Sequence, residues 1–217
     1  MSELPRPLGV ALDCDGLLVD TEKLWSIAEG EVFARRGWDY SDDIKAHFIG
    51  TTLEWTVSTM AELFGEPGAE PQLRQEITTR VAEVIAAQAE PMPGALALVS
   101  SLAGKVPMVV VSNSERHLVE LALGRTGLRG AIDAILAGDE VEHGKPAPDL
   151  YLKAGELLGH QPSELLAFED SLVGVQAAQA AGIPVVGVPT IEQDGFAPDF
   201  RFGSLADPVL QAWAAAL

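Results

Sequence analysis

The 217-residue sequence is poor in cysteine, in basic side chains and in long apolar segments. Its one cysteine, Cys14, excludes an internal disulfide and favours a reducing compartment, which we take to be the cytoplasm. Only 14 Lys and Arg residues stand against 32 Asp and Glu residues, so we expect neither nucleic acid nor a membrane surface as a partner. The longest apolar run, residues 106–111, is far shorter than the roughly 20 residues of a membrane-spanning helix. The acidic, proline-containing N-terminal segment is not typical of a secretory signal.

The proportions of apolar and charged residues are those of a folded protein. Hydrophobic residues make up 47% of the sequence and charged residues 21%, which excludes a disordered chain. The length suits one compact domain, or one domain that carries a sizeable insertion. For the oligomeric state we expect a monomer or a weak homodimer.

Short apolar segments separated by helical patterns predict an α/β fold. Between the later segments, Leu150, Ala154, Leu157 and Leu158 have the spacing of one helix face. Strands that alternate with helices form parallel sheets through right-handed crossovers, so we expect a Rossmann-like parallel sheet flanked by helices. The predicted strands are residues 8–12, 107–111, 131–136, 165–168 and 183–188.

One long interval breaks this alternation. Residues 21–90 lack β-branched runs but contain helical patterns, such as Trp25, Ala28 and Val32 on one face. Prolines at residues 91–93 end the interval, because proline resists helical continuation. We therefore predict a helical subdomain at 21–90, inserted into a core domain made of residues 1–20 and 91–217.

Two acidic pairs directly follow predicted strands. Asp13 and Asp15 come after the first strand, and Glu169 and Asp170 come after the fourth. Taken singly, each pair has an ordinary explanation: a polar exit from a strand, or a helix cap by Asp170. Together, the two pairs would meet at the carboxyl edge of the sheet. Carboxylates so close to one another repel, and a bound cation would balance their charge. Oxygen ligands without a His or Cys cluster favour Mg²⁺.

A hydroxyl and an ammonium group are expected near the same edge. Ser112 and Asn113 follow the second strand, where a hydroxyl and free backbone N–H groups suit a phosphate oxygen, although a helix cap is an equal alternative. Lys145 lies in a proline-stiffened loop, residues 144–149, that does not have the P-loop pattern. A solvated surface lysine is the ordinary alternative for Lys145.

In order and spacing, these segments resemble the four motifs of the haloacid dehalogenase (HAD) superfamily. The resemblance covers residues 8 to about 189, and it implies that the helical insert is the small cap of that superfamily. Residues 13–22 resemble the β-phosphoglucomutase and sugar-phosphatase branch. The motif segments are residues 13–16, Ser112, the loop at 144–149 with Lys145, and Glu169 with Asp170.

The resemblance implies a role for each acidic residue. Asp13 is expected to attack phosphorus and form an aspartyl-phosphate. Asp15 is expected to protonate the leaving oxygen and then to take a proton from the hydrolytic water. Mg²⁺ would be held by Asp13, the backbone carbonyl of Asp15 and Asp170, with Glu169 near or in the coordination shell.

The resemblance also implies that Ser112, Asn113 and Lys145 bind the phosphoryl group and stabilise the charge that develops on it.

Cys14 lies between the two aspartates in sequence, but its side chain should point to the opposite face and pack as a small hydrophobic residue.

The expected function is a Mg²⁺-dependent phosphatase for small phosphorylated metabolites, with sugar phosphates as the favoured class. One alternative is a phosphosugar mutase of the β-phosphoglucomutase type. Those mutases carry a His after the first motif and an Arg in the cap, where this sequence has Trp25 and Leu53. A second alternative is a catalytically idle binding module, which the intact set of acidic, hydroxyl and ammonium groups disfavours.

Four residues of the predicted cap are candidate substrate contacts: Trp25, His47, Thr51 and Glu54. Trp25 is equally plausible as a core residue, given its helical spacing to Ala28.

Overall fold

The computed structural model describes residues 3–48, 52–191 and 193–217. These residues form two compact units. One unit contains the described residues up to Asp20 together with Glu90–Leu217, and the other is Thr21–Ala89. None of the helices in the described residues is both long enough and apolar enough to cross a membrane.

The first unit is built on a parallel sheet of the strands β1 Gly9–Leu12, β2 Met108–Val111, β3 Ala134–Leu136, β4 Leu165–Glu169, β5 Val185–Gly187 and β6 Phe200–Arg201. Their order in the sheet is β3-β2-β1-β4-β5-β6. Strands β1, β2 and β4 are buried along their whole length, as expected for a sheet covered by helices on both faces. The predicted α/β fold with a Rossmann-like parallel sheet is confirmed.

Helices flank the sheet in the first unit and make up the second unit. Short 3₁₀ turns at Arg129–Ala131, Gly138–Glu140 and Pro162–Glu164 precede strands or loops of the first unit. The helices are α1 Glu22–Arg35, α2 Asp42–Phe48, α3 Leu53–Phe64, α4 Glu70–Gln88, α5 Ala95–Leu102, α6 Arg116–Thr126, α7 Asp149–Leu158, α8 Leu172–Ala180 and α9 Pro208–Ala216.

Some details of the strands and helices differ from the sequence-based prediction. The third strand is shorter than predicted, because residues up to Ala131 form a 3₁₀ turn and the Asp133 carboxylate accepts the Met108 N–H at 2.8 Å. On α7, Leu150 and Ala154 are buried as predicted, but Leu157 is 54% exposed. The buried face of α7 is therefore narrower than the spacing of its leucines predicts.

The second unit is held together by helix packing and an aromatic cluster. Helix α4 packs against both α1 and α3. The Phe33 ring on α1 lies 5.1 Å from the Tyr40 ring, 4.8 Å from the Phe64 ring and 6.0 Å from the Phe48 ring. Ring pairs at these separations contribute about 0.5–1.5 kcal/mol each beyond their buried area. The cluster thus fixes the segment between α1 and α2 against α3.

A carboxyl group is buried beside this cluster. Glu29 is 7% exposed, and its Oε2 accepts a hydrogen bond from the Tyr40 hydroxyl. Burial raises the pKa of Glu29 to about 7, the nearby Glu22 carboxylate adds to the shift, and the Tyr40 hydrogen bond and Lys45 oppose it. The folded state therefore holds this proton more tightly than the unfolded chain does.

We expect Glu29→Gln to change how stability depends on pH. Because the folded pKa is raised, the stability contributed by Glu29 is complete below about pH 4.5 and is lost as the pH rises through about 7. Relative to the unchanged protein, the variant should gain ~2 kcal/mol in free energy of unfolding between about pH 5.5 and pH 8. Urea unfolding at several pH values measures this difference. Asp39→Asn, at an exposed position, is the control. If the free energy of unfolding changed with pH in the same way in both variants, the raised pKa of Glu29 would be contradicted.

Candidate active site

Three neighbouring strands bring polar side chains to one edge of the sheet. Leu12, the last residue of β1, pairs with Val110 of β2 and with Phe168 of β4. The Asp13 N–H continues this pairing by donating to the Phe168 carbonyl at 3.0 Å. Asp13, Ser112 and Glu169 therefore lie at adjacent carboxyl ends, as the parallel register predicts.

Lys145 connects these strand ends. Its Nζ donates to Asp13 Oδ1 at 2.5 Å, to Glu169 Oε1 at 2.7 Å and to the Val111 carbonyl at 2.8 Å. An ammonium group has three protons, so this arrangement uses every donor of the side chain. Burial alone would lower the pKa of Lys145, but the Asp13 and Glu169 carboxylates outweigh burial and raise it. Lys145 is therefore a buried cation that balances two carboxylates, and the solvated alternative is wrong.

Asn113 positions the loop that carries Lys145. Its Oδ1 accepts the Lys145 N–H at 2.7 Å, and its Nδ2 donates to the Lys145 carbonyl at 3.0 Å. A Cβ on Gly144 would lie 2.6 Å from Asn113 Oδ1, so the loop needs glycine there to approach this closely. The side-chain amide of Asn113 is engaged with the protein backbone, which the predicted phosphate-binding role did not anticipate.

The Asp15 carboxylate is held by hydroxyl groups from the end of β2. Asp15 Oδ2 accepts from Ser112 Oγ at 2.7 Å and from Ser114 Oγ at 2.9 Å. Ser112 does not cap a helix, because α6 begins only at Arg116. The sequence analysis identified Ser112 but missed Ser114, although a hydroxyl two residues beyond Ser112 was a visible signal.

A cluster of buried carboxylates could hold a divalent cation. Asp13, Glu169 and Asp170 each offer an oxygen atom, and these atoms lie within 4.8 Å of one another. Among the described residues, Asp13 Oδ2 and Glu169 Oε2 are buried without a hydrogen-bond partner. Buried acceptors are normally satisfied, and carboxylate oxygens are the ligands that Mg²⁺ prefers. The residues present therefore fit a divalent cation.

Two glycines make room for this cluster. Gly16 has φ +81°, and a Cβ there would collide with Asp170 Oδ2. A Cβ on Gly174 of α8 would collide with Glu169 Oε2. Both positions exclude larger side chains because a carboxylate oxygen occupies the space.

Residues outside the motifs support the carboxylates. The buried Tyr151 hydroxyl donates to Glu169 Oε1, and Thr190 Oγ1 donates to Asp170 Oδ2 at 3.0 Å. Sequence analysis missed both residues, although a tyrosine on the buried face of α7 needs a partner for its hydroxyl. The alternative in which Asp170 caps the following helix is wrong, because Ser171 caps α8 by accepting the Gly174 N–H.

Burial governs protonation at the site. It raises the pKa of the Asp13 carboxyl well above its ordinary value, Lys145 opposes the shift, and Glu169 and Asp170 add to it. Burial also raises the pKa of the Cys14 thiol, and the nearby aspartates raise it further. The thiol therefore stays protonated and packs in the core, as the sequence predicted.

Three of the four predicted cap contacts, Trp25, His47 and Glu54, lie on helices of the second unit. Trp25 is partly buried on α1, and His47 Nδ1 lies 2.8 Å from the Asp43 carbonyl. Glu54 forms an ion pair with Arg74. Thr51 lies outside the described residues. Contact between these four side chains and a substrate stays a prediction.

Comparison with known proteins agrees with this geometry. The model of a hydrolase family, haloacid dehalogenase-like hydrolase, matches residues 8–182. Fructose-1-phosphate phosphatase YqaB of Escherichia coli is 35% identical over 84% of this chain and 97% of its own length. A Drosophila melanogaster protein with the name "Probable pseudouridine-5'-phosphatase" is 37% identical over 82% of this chain and 79% of its own length.

A solved structure has the same fold. The crystal structure of CbbY from Rhodobacter sphaeroides in complex with phosphate superimposes with a TM-score of 0.82 at 25% identity, covering 93% of this chain and 96% of that one. The family match spans the four motif segments that meet at the sheet edge, and it confirms the resemblance seen in the sequence. The chain is therefore an enzyme of the haloacid dehalogenase-like hydrolases, and the two relatives described above carry the names of phosphatases.

Proposed function

We propose that the protein is a Mg²⁺-dependent phosphatase that hydrolyses phosphate monoesters of small sugars through an aspartyl-phosphate on Asp13. One observation carries the proposal. The buried Asp13 carboxylate has one oxygen bound to Lys145 and the other without a partner among the described residues, and it belongs to a cluster suited to a divalent cation. A carboxylate has two oxygens, so in this setting one can attack phosphorus while the other faces the cation.

The proposed reaction has two displacements. In the first, an Asp13 oxygen attacks phosphorus, the bond from phosphorus to the sugar oxygen breaks, and Asp15 gives its proton to that oxygen. In the second, water attacks the phosphorus of the aspartyl-phosphate, Asp15 takes the proton from water, and Asp13 leaves as a carboxylate. Phosphate and the free sugar are the products, and both aspartates return to their starting states.

The remaining polar groups stabilise charge in this scheme. Asp13 must be ionised to attack, and the Lys145 ammonium opposes the effect of burial on its pKa. Mg²⁺ bound by Asp13, the Asp15 carbonyl and Asp170, with Glu169 close by, would neutralise charge on the phosphoryl oxygens. The Ser112 hydroxyl lies at the end of β2, where it can turn from Asp15 to a phosphoryl oxygen.

Two considerations favour sugar phosphates and hydrolysis. The two relatives described above are named for fructose 1-phosphate and pseudouridine 5'-phosphate, which are both phosphate esters of a sugar hydroxyl, so we propose this class of substrate. Trp25 and Leu53 stand where the mutase branch carries a His and an Arg, which disfavours the mutase.

We also propose a cytoplasmic location, since the lone Cys14 is a buried free thiol.

A panel of sugar phosphates with Mg²⁺ tests the proposal. Fructose 1-phosphate, pseudouridine 5'-phosphate and aldose phosphates are supplied, and inorganic phosphate and isomeric sugar phosphates are measured together. We expect phosphate and free sugar in equal amounts, with activity lost in EDTA and restored by Mg²⁺. Isomer formation faster than phosphate release would identify a mutase instead, and no turnover on any ester would identify a binding module.

A further inference from the structure

A short hydrogen-bond network surrounds the Asp15 carboxylate. Asp15 Oδ2 accepts two hydroxyl protons, from Ser112 at 2.7 Å and from Ser114 at 2.9 Å. The Ser114 N–H in turn donates to Ser112 Oγ at 2.9 Å. Each serine hydroxyl thus donates its one proton to the same carboxylate oxygen.

This network changes if Ser112 binds the phosphoryl group. A hydroxyl has a single proton, so Ser112 cannot donate to a phosphoryl oxygen and to Asp15 at the same time. Ser114 has no such competing task, and its hydroxyl continues to donate to Asp15 Oδ2. We infer that Ser114 is a positioning residue, which holds the Asp15 carboxyl for proton transfer while Ser112 engages the phosphoryl group. This inference rests on the proposed function.

The backbone at Ser114 is anchored on both sides, which suits a positioning role. Its N–H is bound by Ser112 Oγ, and its carbonyl accepts the Gly138 N–H at 3.1 Å. A Cβ on Gly138 would collide with the Asn113 carbonyl, so the two segments are in close contact beside Ser114. A hydroxyl on such a fixed backbone is preorganised and loses little conformational freedom when it orients Asp15.

If Ser114 positions Asp15, the effect of removing the Ser114 hydroxyl should depend on the leaving group of the substrate. A sugar alkoxide is a strong base and needs a proton from Asp15 as the bond breaks, whereas p-nitrophenolate is a weak base and leaves without one. The value of kcat/KM reports only the steps up to departure of the leaving group. Asp15 becomes a carboxylate as it gives up its proton, and Ser114→Ala removes a hydrogen bond to that developing charge. The variant should therefore lower kcat/KM for a sugar phosphate by ~10- to 100-fold, the usual effect of losing a hydrogen bond to a charged group. It should leave kcat/KM for p-nitrophenyl phosphate essentially unchanged.

The test compares Ser114→Ala, Ser114→Thr and Ser112→Ala on fructose 1-phosphate and p-nitrophenyl phosphate with saturating Mg²⁺. Ser114→Thr retains the hydroxyl and should recover activity on the sugar phosphate. Ser112→Ala should lose activity on both esters, because its hydroxyl is assigned to the phosphoryl group they share. The exposed Ser100→Ala on α5 should match the unchanged protein on both.

Two results would overturn the role of Ser114: equal changes on the two esters in Ser114→Ala, or a Ser114→Thr variant as impaired as Ser114→Ala. Either result leaves the phosphatase itself intact if the unchanged protein hydrolyses both esters. An unchanged protein that releases phosphate from neither p-nitrophenyl phosphate nor any sugar phosphate of the panel would instead overturn the proposed function, and the inference with it.

Discussion

Replacing Lys145 with Met is expected to lower the free energy of unfolding by ~3–5 kcal/mol, the usual effect of removing one partner from a buried ion pair. The Lys145 ammonium lies between Asp13 and Glu169, and all three side chains are buried. Without it, two carboxylates remain in a region of low dielectric with no cation to balance them. Urea unfolding in EDTA measures the loss without a contribution from bound cations.

The charge explanation for Lys145 can be separated from simple loss of packing. Adding Asp13→Asn and Glu169→Gln to Lys145→Met removes the unbalanced charges while keeping side-chain volume, so the triple variant should be more stable than the single one. Lys153→Met on α7, whose Nζ donates to the Glu140 carbonyl at an exposed position, should stay within ~0.5 kcal/mol of the unchanged protein. A triple variant less stable than Lys145→Met would show that charge balance is not what Lys145 supplies.

Asp13→Asn should abolish phosphatase activity while leaving the protein folded. The amide cannot act as the nucleophile, and loss of a nucleophile typically lowers kcat by ~10⁴-fold or more. Lys145 keeps its contacts with Glu169 and the Val111 carbonyl, so the ammonium remains balanced. Phosphate release from fructose 1-phosphate measures the loss, with a mass spectrum to verify that the introduced amide has not deamidated back to the carboxylate.

The exposed Asp194→Asn in the same unit is the matched control for Asp13→Asn and should retain full activity. An Asp13→Asn variant that keeps more than a small fraction of the activity would mean that another group attacks phosphorus.

The fold and the acidic residues could be predicted because both follow from local patterns. Buried parallel strands are continuous apolar runs, and the ends of such strands must meet at one edge of the sheet. That rule alone brings Asp13 and Glu169 together across the pairing of Leu12 with Phe168. The strand Phe200–Arg201 was missed because two residues are too few to form a recognisable apolar run.

The supporting contacts could not be predicted in the same way. Tyr151, Thr190 and Ser114 act through partners that lie 18, 20 and 99 residues away in the chain. Nothing in a single sequence specifies which buried oxygen such a hydroxyl will meet. For the same reason, the sequence analysis assigned Lys145 to the phosphoryl group and did not foresee that protein acceptors use all three of its donors.

The central claim is that phosphoryl transfer passes through Asp13, and trapping the acyl-phosphate tests it most directly. Enzyme turning over fructose 1-phosphate with Mg²⁺ is quenched with borohydride, which reduces an aspartyl-phosphate to homoserine, and its peptides are analysed by mass spectrometry. We expect homoserine at residue 13 only when substrate and Mg²⁺ are both present. Turnover with an unmodified Asp13, or with homoserine at another aspartate, would contradict the account.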